Sequence, residues 1–240
     1  FEQMEHQWFC KEGTDQEYYA EYKKRAWQFL LDLGFKEEHL RFHDHDKLAH
    51  YAKAACDIQY DFPMGWSELN GIHNRTDYDL SRHQEYSGKS MTYVDPVTQE
   101  RYIPYVIEYS IGADRLMLAT LSEAYDEETL ENGEVRNVMR FHPAIAAYKA
   151  AVLPLQKGLA PQAKELLQKL KKHFLVTYDE AGSIGKRYRR QDEIGTPYCL
   201  TVDFDTLQDG TVTVRDRDTM EQVRMTADEV VAFLTEKCAF

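Results

Sequence analysis

The pattern of apolar and polar positions is most informative over residues 106–119. Val106, Ile107, Tyr109 and Ile111 are β-branched or aromatic and suit a buried strand. Gly112 supplies a tight turn, and Leu116, Leu118, Ala119 and Leu121 then predict a mostly apolar helix. Residues 1–10 alternate with period 2, Phe1, Gln3, Glu5 and Gln7 on one side and Glu2, Met4, His6 and Trp8 on the other, which predicts a strand. From Thr14 and Asp15 a helix is predicted to about Leu33. Tyr19, Tyr22, Ala26, Phe29, Leu30 and Leu33 recur at three and four, and Gly34 ends the run. Residues 40–45 read as a strand, 48–56 as a short Ala-rich helix, and 58–62 as a strand closed by Pro63. Residues 65–80 mix small, aromatic and charged positions with no clean period, which predicts a loop lining a site. A polar helix over 81–87 ends at Gly88. Residues 92–95 and 101–105 predict a hairpin, and 126–134 an acidic surface connection.

From Arg140 the pattern changes. Residues 144–153 lead from apolar coil into a buried strand ending at Val152-Leu153-Pro154-Leu155. An amphipathic helix follows over 161–174, then a strand over 175–178, a basic helix over 184–192, strands over 198–204 and 211–215, and a last helix over 228–238 capped by Thr226. Strands alternating with helices imply a small α/β domain. Two domains are expected, residues 1–137 and 138–240.

Composition narrows the class. With 240 residues, 43% of them hydrophobic and 29% charged, the chain has the make-up of a soluble globular protein. No apolar run approaches the roughly 20 residues that cross a bilayer, so no membrane role is expected, and no secretory signal is visible. The chain starts at Phe1, within what reads as a structured segment, and is expected to be part of a longer protein. The four cysteines are far apart in sequence, as free thiols in a reducing cytoplasm would be. The net charge of -12 is unevenly spread: residues 138–240 balance to +1, and residues 1–137 to -13. That asymmetry suggests domains with different partners.

Candidate chemistry lies where the central strand hands over to its helix. Glu108, Ser110 and Arg115 bring a carboxylate, a hydroxyl and a guanidinium onto rigid elements, a set that can hold a small zwitterion beside a phosphate-bearing ligand. A core strand–helix pair with one surface ion pair is the competing reading. Glu5, if it faces inward on a central strand, needs a cation, donors or a ligand; on an edge strand it would sit in water. Glu68 and Arg75 are the candidate ligand contacts of residues 65–80, with Asp77 and Asp79 able to orient Arg75. The run His43-Asp44-His45-Asp46 invites a metal reading but has no third ligand in view. Lys186, Arg187, Arg189 and Arg190 could meet phosphates, or form a solvated helix face.

Three stretches together resemble one family. They are Phe1-Glu2-Gln3-Met4-Glu5; residues 65–80, with their Trp-Ser-Glu-Leu-Asn-Gly-Ile core and Asn-Arg-Thr-Asp-Tyr-Asp-Leu tail; and residues 108–115. In this order they resemble the dimeric type of glycyl-tRNA synthetase, a class II aminoacyl-tRNA synthetase. The first resembles the tail of the second class motif and the last the third class motif. The likeness extends through residues 43–62. Phe141-His142-Pro143 and Val152-Leu153-Pro154-Leu155 open what resembles the shared anticodon-binding domain. The resemblance implies an α+β catalytic core with an antiparallel sheet, N-terminally incomplete, followed by a small α/β anticodon-binding domain with a mixed sheet.

It also implies an enzyme that joins glycine to ATP, with Mg2+, as glycyl-adenylate and passes the glycyl group to tRNA(Gly), and a homodimer when full-length. By this likeness Phe1, Glu2, Gln3, Met4, Glu5, Arg75, Glu108, Tyr109, Ser110, Ile111 and Gly112 would form the glycine pocket. Glu5 and Glu108 would hold the ammonium. Phe1, Glu68, Leu69, Gly112, Ala113, Asp114 and Arg115 would meet ATP, Glu68 lying at its magnesium and Arg115 stacking on adenine. Lys186, Arg187, Arg189 and Arg190 would meet tRNA. Tyr109 stands where the family often has Pro. The first class motif and the front of the second, with its α-phosphate arginine, are absent, so these residues alone are expected not to activate glycine. Two other readings stand beside this one. A non-catalytic relative resembling the mitochondrial DNA polymerase accessory subunit would be expected to lack the polar groups present here. A synthetase for proline, threonine or histidine is the other.

Overall fold

Segments that alternate with period 2 need partners to bury one face, and here they find them in a single antiparallel sheet. The computed structural model describes residues 1–240, which divide by packing into two units, Phe1–Ser122 and Glu123–Phe240. In the first unit β1 (Gln3–Cys10) is followed by α1 (Asp15–Asp32), β2 (Leu40–Asp44), β3 (Ala54–Phe62), β4 (Gly65–Asn74), α2 (Tyr78–Ser87), the short strands β5 (Tyr93–Val94) and β6 (Arg101–Tyr102), β7 (Tyr105–Gly112) and α3 (Ala113–Ala124). Its five-stranded sheet has the order β1-β7-β4-β3-β2, every neighbour antiparallel. The apolar stripe of α1, with Tyr19, Tyr22, Ala26 and Leu30 buried, covers one face together with Ile58, Tyr60, Leu69, Ile72, Ile107 and Ile111. The opposite face carries the polar side chains.

Two stretches here differ from expectation. Residues 48–56 read as helix because of their alanines, yet Ala54, Ala55 and Cys56 begin β3, with Ala55 and Cys56 buried. Alanine's preference for helix is worth only a few tenths of a kcal/mol over ordinary residues, and pairing of Ala54 and Ala55 with β4, joined by β2 from Cys56 onward, overrides it. Residues 65–80 read as a loop, but β4 is a central strand and α2 starts at Tyr78. Its alternation is scrambled by a register shift between Ile58 and Gln59, which leaves Leu69 without a direct partner on β3, and by Asn70 and Asn74, polar residues fully buried in the sheet.

The second unit contains β8 (Tyr125–Thr129), β9 (Val135–Met139), β10 (Ala150–Pro154), α4 (Ala160–Leu170), β11 (Val176–Tyr178), α5 (Ile184–Glu193), β12 (Tyr198–Val202), α6 (Thr206–Asp209), β13 (Thr211–Asp216), β14 (Gln222–Thr226) and α7 (Ala227–Lys237). Its sheet is mixed, in the order β11-β10-β12-β13-β14. β10 is parallel to β11 and β12, and the β12–β13–β14 edge is antiparallel. Strand β10 is buried throughout, as a strand covered on both faces must be. Thr226 caps α7 with a full capping box to Glu229.

The expected acidic connection over 126–134 is instead a hairpin, β8–β9. Its Arg136 is fully buried, donating to Asp192 Oδ2 at 3.0 Å, to Glu128 Oε2 at 2.7 Å and to the Arg217 carbonyl. Asp192 also takes both terminal nitrogens of Arg215. This buried charge network fastens the hairpin to α5 and β13, which is why the packing division falls after Ser122 and not at 137/138.

Candidate active site

Strand register decides which polar groups share a face, because directly opposed residues point the same way. Glu5 on β1 pairs with Ser110 on β7, Ser110 pairs with Gly71 on β4, and Gly71 with Asp57 on β3, so these four form one row across the sheet. The neighbouring row is Gln7, Glu108, His73 and Ala55. Both rows lie on the face opposite α1. Ser110 is thus flanked by a carboxylate on one side and by a residue without a side chain on the other.

Glu108 is a buried acid of this face, 8% exposed. Gln7 Nε2 donates to its Oε2 at 3.1 Å, and Arg75 Nη1 donates to its Oε1 at 3.1 Å. Arg75 follows the end of β4. Its Nε donates to Asp79 Oδ2 at 2.7 Å, and its guanidinium lies 4.2 Å from the Tyr51 ring centroid. The hydrogen bond to Asp79, outweighing partial burial, and then the charge of Glu108 hold the Arg75 pKa above its ordinary value. His73 Nδ1 lies 3.7 Å from Glu108 Oε1, too far for a hydrogen bond. A Cβ added at Gly71 would meet His73 Cε1 at 2.8 Å and Ser110 Oγ at 3.5 Å, so the imidazole already fills the space over Gly71.

A second cluster lies toward the strand ends. Arg115, in the first turn of α3, donates to Ser67 Oγ at 2.6 Å, with its guanidinium 5.5 Å from the Phe62 ring centroid. Glu68 pairs with Gln59 on the polar face. It is exposed by surface area, yet the atoms crowding its carboxyl push its pKa up, and Asp57 adds to the rise while Arg115 and His45 oppose it. His45 Nε2 holds Asp57 Oδ2 at 2.8 Å. Nowhere do three His, Cys, Asp or Glu side chains converge to hold a metal by themselves.

The sheet therefore gathers Gln3, Glu5, Glu108, Ser110 and Gly112 along one face, with Arg75 reaching in from the end of β4. Ala113, Asp114 and Arg115 open α3 beside them, and the Ala113 amide donates to the Glu2 carbonyl at 3.0 Å. Phe1 is fully exposed at the chain start. Met4, Tyr109 and Ile111 point the other way: they line an apolar hollow of about 310 Å³ with His6, Tyr22 and Arg25. Leu69 is in the core under α1. Their backbones can border a ligand, but their side chains cannot reach the polar face. The pleat makes this inevitable, since consecutive residues alternate sides. Gln7, Tyr51, Ser67, Gly71, His73 and Phe62 were not singled out from the sequence as site residues. Only Gln7 carried a signal, the period-2 row it shares with Glu5.

On α5 of the second unit the basic residues separate. Lys186 and Arg189 line a hollow of about 460 Å³ with Tyr188, Arg215 and Gln222. Arg190 is engaged by Asp179. Arg187 is 3% exposed and donates to the carbonyls of Pro154 and Gly182, so it cannot meet a phosphate as the charge run suggested. Its position on the inner face of α5 turns it onto β10.

The first unit is thus an antiparallel sheet with an acidic, Arg-buttressed face, and the second a mixed α/β sheet. The RNA binding domain of threonyl-tRNA synthetase from Cryptosporidium parvum Iowa II has the same fold, with a TM-score of 0.70 at 18% identity over 99% of this chain and 64% of that one. Residues 149–237 match the family described as Anticodon binding domain. In sequence the chain is similar, from end to end, to glycine–tRNA ligases. It is 60% identical to that of Clostridium kluyveri, with 52% of the relative covered, and 60% identical to that of Geobacillus kaustophilus, with 53% covered. The glycine–tRNA ligase of Clostridium perfringens is 59% identical, again with 53% covered. The chain thus spans about half the length of the curated relatives it matches, and the family resemblance read from its motifs is borne out. No helix is long and apolar enough to cross a membrane.

Proposed function

We propose that the protein carrying this chain is a glycine–tRNA ligase, which uses ATP to form glycyl-adenylate and then esterifies tRNA(Gly). End-to-end similarity to enzymes of that name supports the reading. The single structural observation that carries it is the row Glu5–Ser110–Gly71, next to Glu108 with its Arg75 partner. An α-ammonium has three donors and needs acceptors around it. Glu5 and Glu108 supply carboxylates, and Ser110 a hydroxyl between them. Arg75 keeps Glu108 aimed. Above Gly71 the His73 ring leaves little room for a side chain, so a methyl on the substrate α-carbon would be rejected by contact.

ATP would lie toward Glu68 and Arg115, whose planar cation, resting over Phe62, can stack on a base. Mg2+ commonly keeps waters and is held by one or two carboxylates plus substrate phosphates, a role open to Glu68. The chain's residues contribute positioning and charge, and adenylate formation requires no covalent enzyme intermediate. The second unit would bind the anticodon arm, Lys186 and Arg189 offering phosphate contacts and Arg190 a weaker one while it is held by Asp179. Location in the cytoplasm and assembly as a homodimer belong to the same reading.

The test is amino-acid-dependent ATP–pyrophosphate exchange by the full protein, followed by charging of tRNA. Exchange with glycine and not with alanine, proline, threonine or histidine is expected. Exchange driven equally by one of these, or tRNA binding without any exchange, would replace this reading with another synthetase or a non-catalytic relative.

A further inference from the structure

His73 has no partner in the network described above. It sits on β4 directly opposite Glu108, is mostly buried, and its Nδ1 is shielded from solvent without a hydrogen bond. Unpaired buried nitrogens are uncommon in folded proteins, and each one calls for a reason. The ring has been given its place by the sequence: Gly71, two residues earlier on the same face, leaves the room that Cε1 occupies, and any Cβ there would displace it. The charged groups around it are few. Glu108 faces it from β7 and Arg75 from the end of β4. Asp57 faces it from β3, and His45, in the turn after β2, presents its ring at 6.2 Å, itself tied to Asp57.

Resting on the glycine-activation reading, we propose that His73 is a positioning residue for Glu108: as a neutral ring it walls Oε1 toward the substrate, and as an imidazolium it takes Oε1 for itself. The distance supports this. At 3.7 Å a small rotation closes a charge-assisted hydrogen bond, which would be among the stronger interactions on this face. Glu108 already spends one oxygen on Gln7 and shares the other with Arg75. A cation arriving from His73 would therefore compete with a substrate ammonium for the same lone pairs. Burial, the largest influence, holds the His73 pKa below its ordinary value of 6.5; Glu108 and Asp57 pull it up in part, and His45 and Arg75 push it further down. The neutral ring is thus the resting form near neutral pH, and the competing cation forms only on the acid side.

The test is the pH profile of the glycine KM in pyrophosphate exchange, for the full protein and its His73→Gln variant. In the wild type, KM is expected to rise roughly tenfold per pH unit below the His73 titration. In H73Q that rise is flattened, while the shape of the kcat profile is shared. A merely structural role would instead shift KM, kcat and thermal stability together at every pH. The second readout is the NMR titration of the His73 ring with and without glycine. Binding of an ammonium at Glu108 should lower its midpoint, since the coupling is reciprocal. Glycine-dependent exchange with an unchanged KM limb in H73Q, or with an unmoved His73 midpoint, overturns this proposal alone. Absence of glycine-dependent exchange in the wild type at every pH overturns the ligase reading, and this proposal with it.

Discussion

Arg75 and Glu108 meet at 3.1 Å across the end of β4 and the middle of β7, and each is held by a further partner, Asp79 for the cation and Gln7 for the acid. A carboxylate so buttressed keeps its direction. The proposed site on the polar face of the sheet rests on that relationship more than on any single residue.

Replacing Glu108 with Gln keeps the shape and removes the charge. Loss of one charge-assisted contact to the substrate ammonium should cost roughly 1.5–3 kcal/mol, about 10- to 100-fold in kcat/KM for glycine. Pyrophosphate exchange by the full protein measures it, and an unchanged value would remove Glu108 from the site.

Gly71→Ala puts a methyl carbon 2.8 Å from His73 Cε1 and 3.5 Å from Ser110 Oγ. Overpacking of this kind costs about 1–3 kcal/mol of stability. A loss of glycine affinity beyond that expected from unfolding is anticipated, read by comparing a denaturation curve with the glycine KM.

Asp192 takes Arg136 and Arg215 where neither the acid nor Arg136 touches solvent. Removing one partner of such a network strands its charges, at a cost of about 3–5 kcal/mol. Asp192→Ala should therefore lower the denaturant midpoint of the second unit strongly. An Arg136→Met change, which removes a buried cation and supplies apolar volume, should cost less than Asp192→Ala.

Lys186→Ala and Arg187→Ala should part company, although the residues are neighbours in sequence. Lys186 is exposed, and its loss should weaken tRNA binding while reducing the salt slope by about one ion. Arg187 satisfies the carbonyls of Pro154 and Gly182 in the interior, so its loss should cost stability of about 1–3 kcal/mol. Filter binding across salt concentrations and thermal melts separate the two.

Asp203 offers a pH prediction. Its partial burial opposes ionisation, but hydrogen bonds from Arg224 and then from Thr206 prevail and bring its pKa from 3.8 to about 2. A depressed folded-state pKa means stability that is present above 3.8 and lost as pH falls toward 2. Thermal melts between those limits should show a shallower acid loss in Asp203→Asn than in the wild type. Equal slopes would mean the pair contributes nothing.

Much of this was legible in the chain. Period-2 rows named β1 and β7, the three-four stripe named α1, and Gly34 and Gly88 marked helix ends. Motif order supplied the family likeness that similarity to glycine–tRNA ligases bears out. Glu5, Glu108 and Ser110 could be placed on alternate positions of their strands. Local sequence determines such things because side-chain direction along a strand and helix-face periodicity are properties of a few consecutive residues.

The rest required the fold. That Glu5 sits beside Ser110, and Ser110 beside Gly71, is a matter of register between strands distant in the chain, and a shift of one residue would send every polar group to the face covered by α1. Alanines at 54 and 55 became strand, and Arg187 turned inward, because burial against neighbours outweighs the weak preferences of single residues. The sequence by itself determined which residue types were on hand and the element most of them would occupy. Only the tertiary structure decided which of them touch, since pairing free energies belong to contacts between segments, and no segment carries them alone.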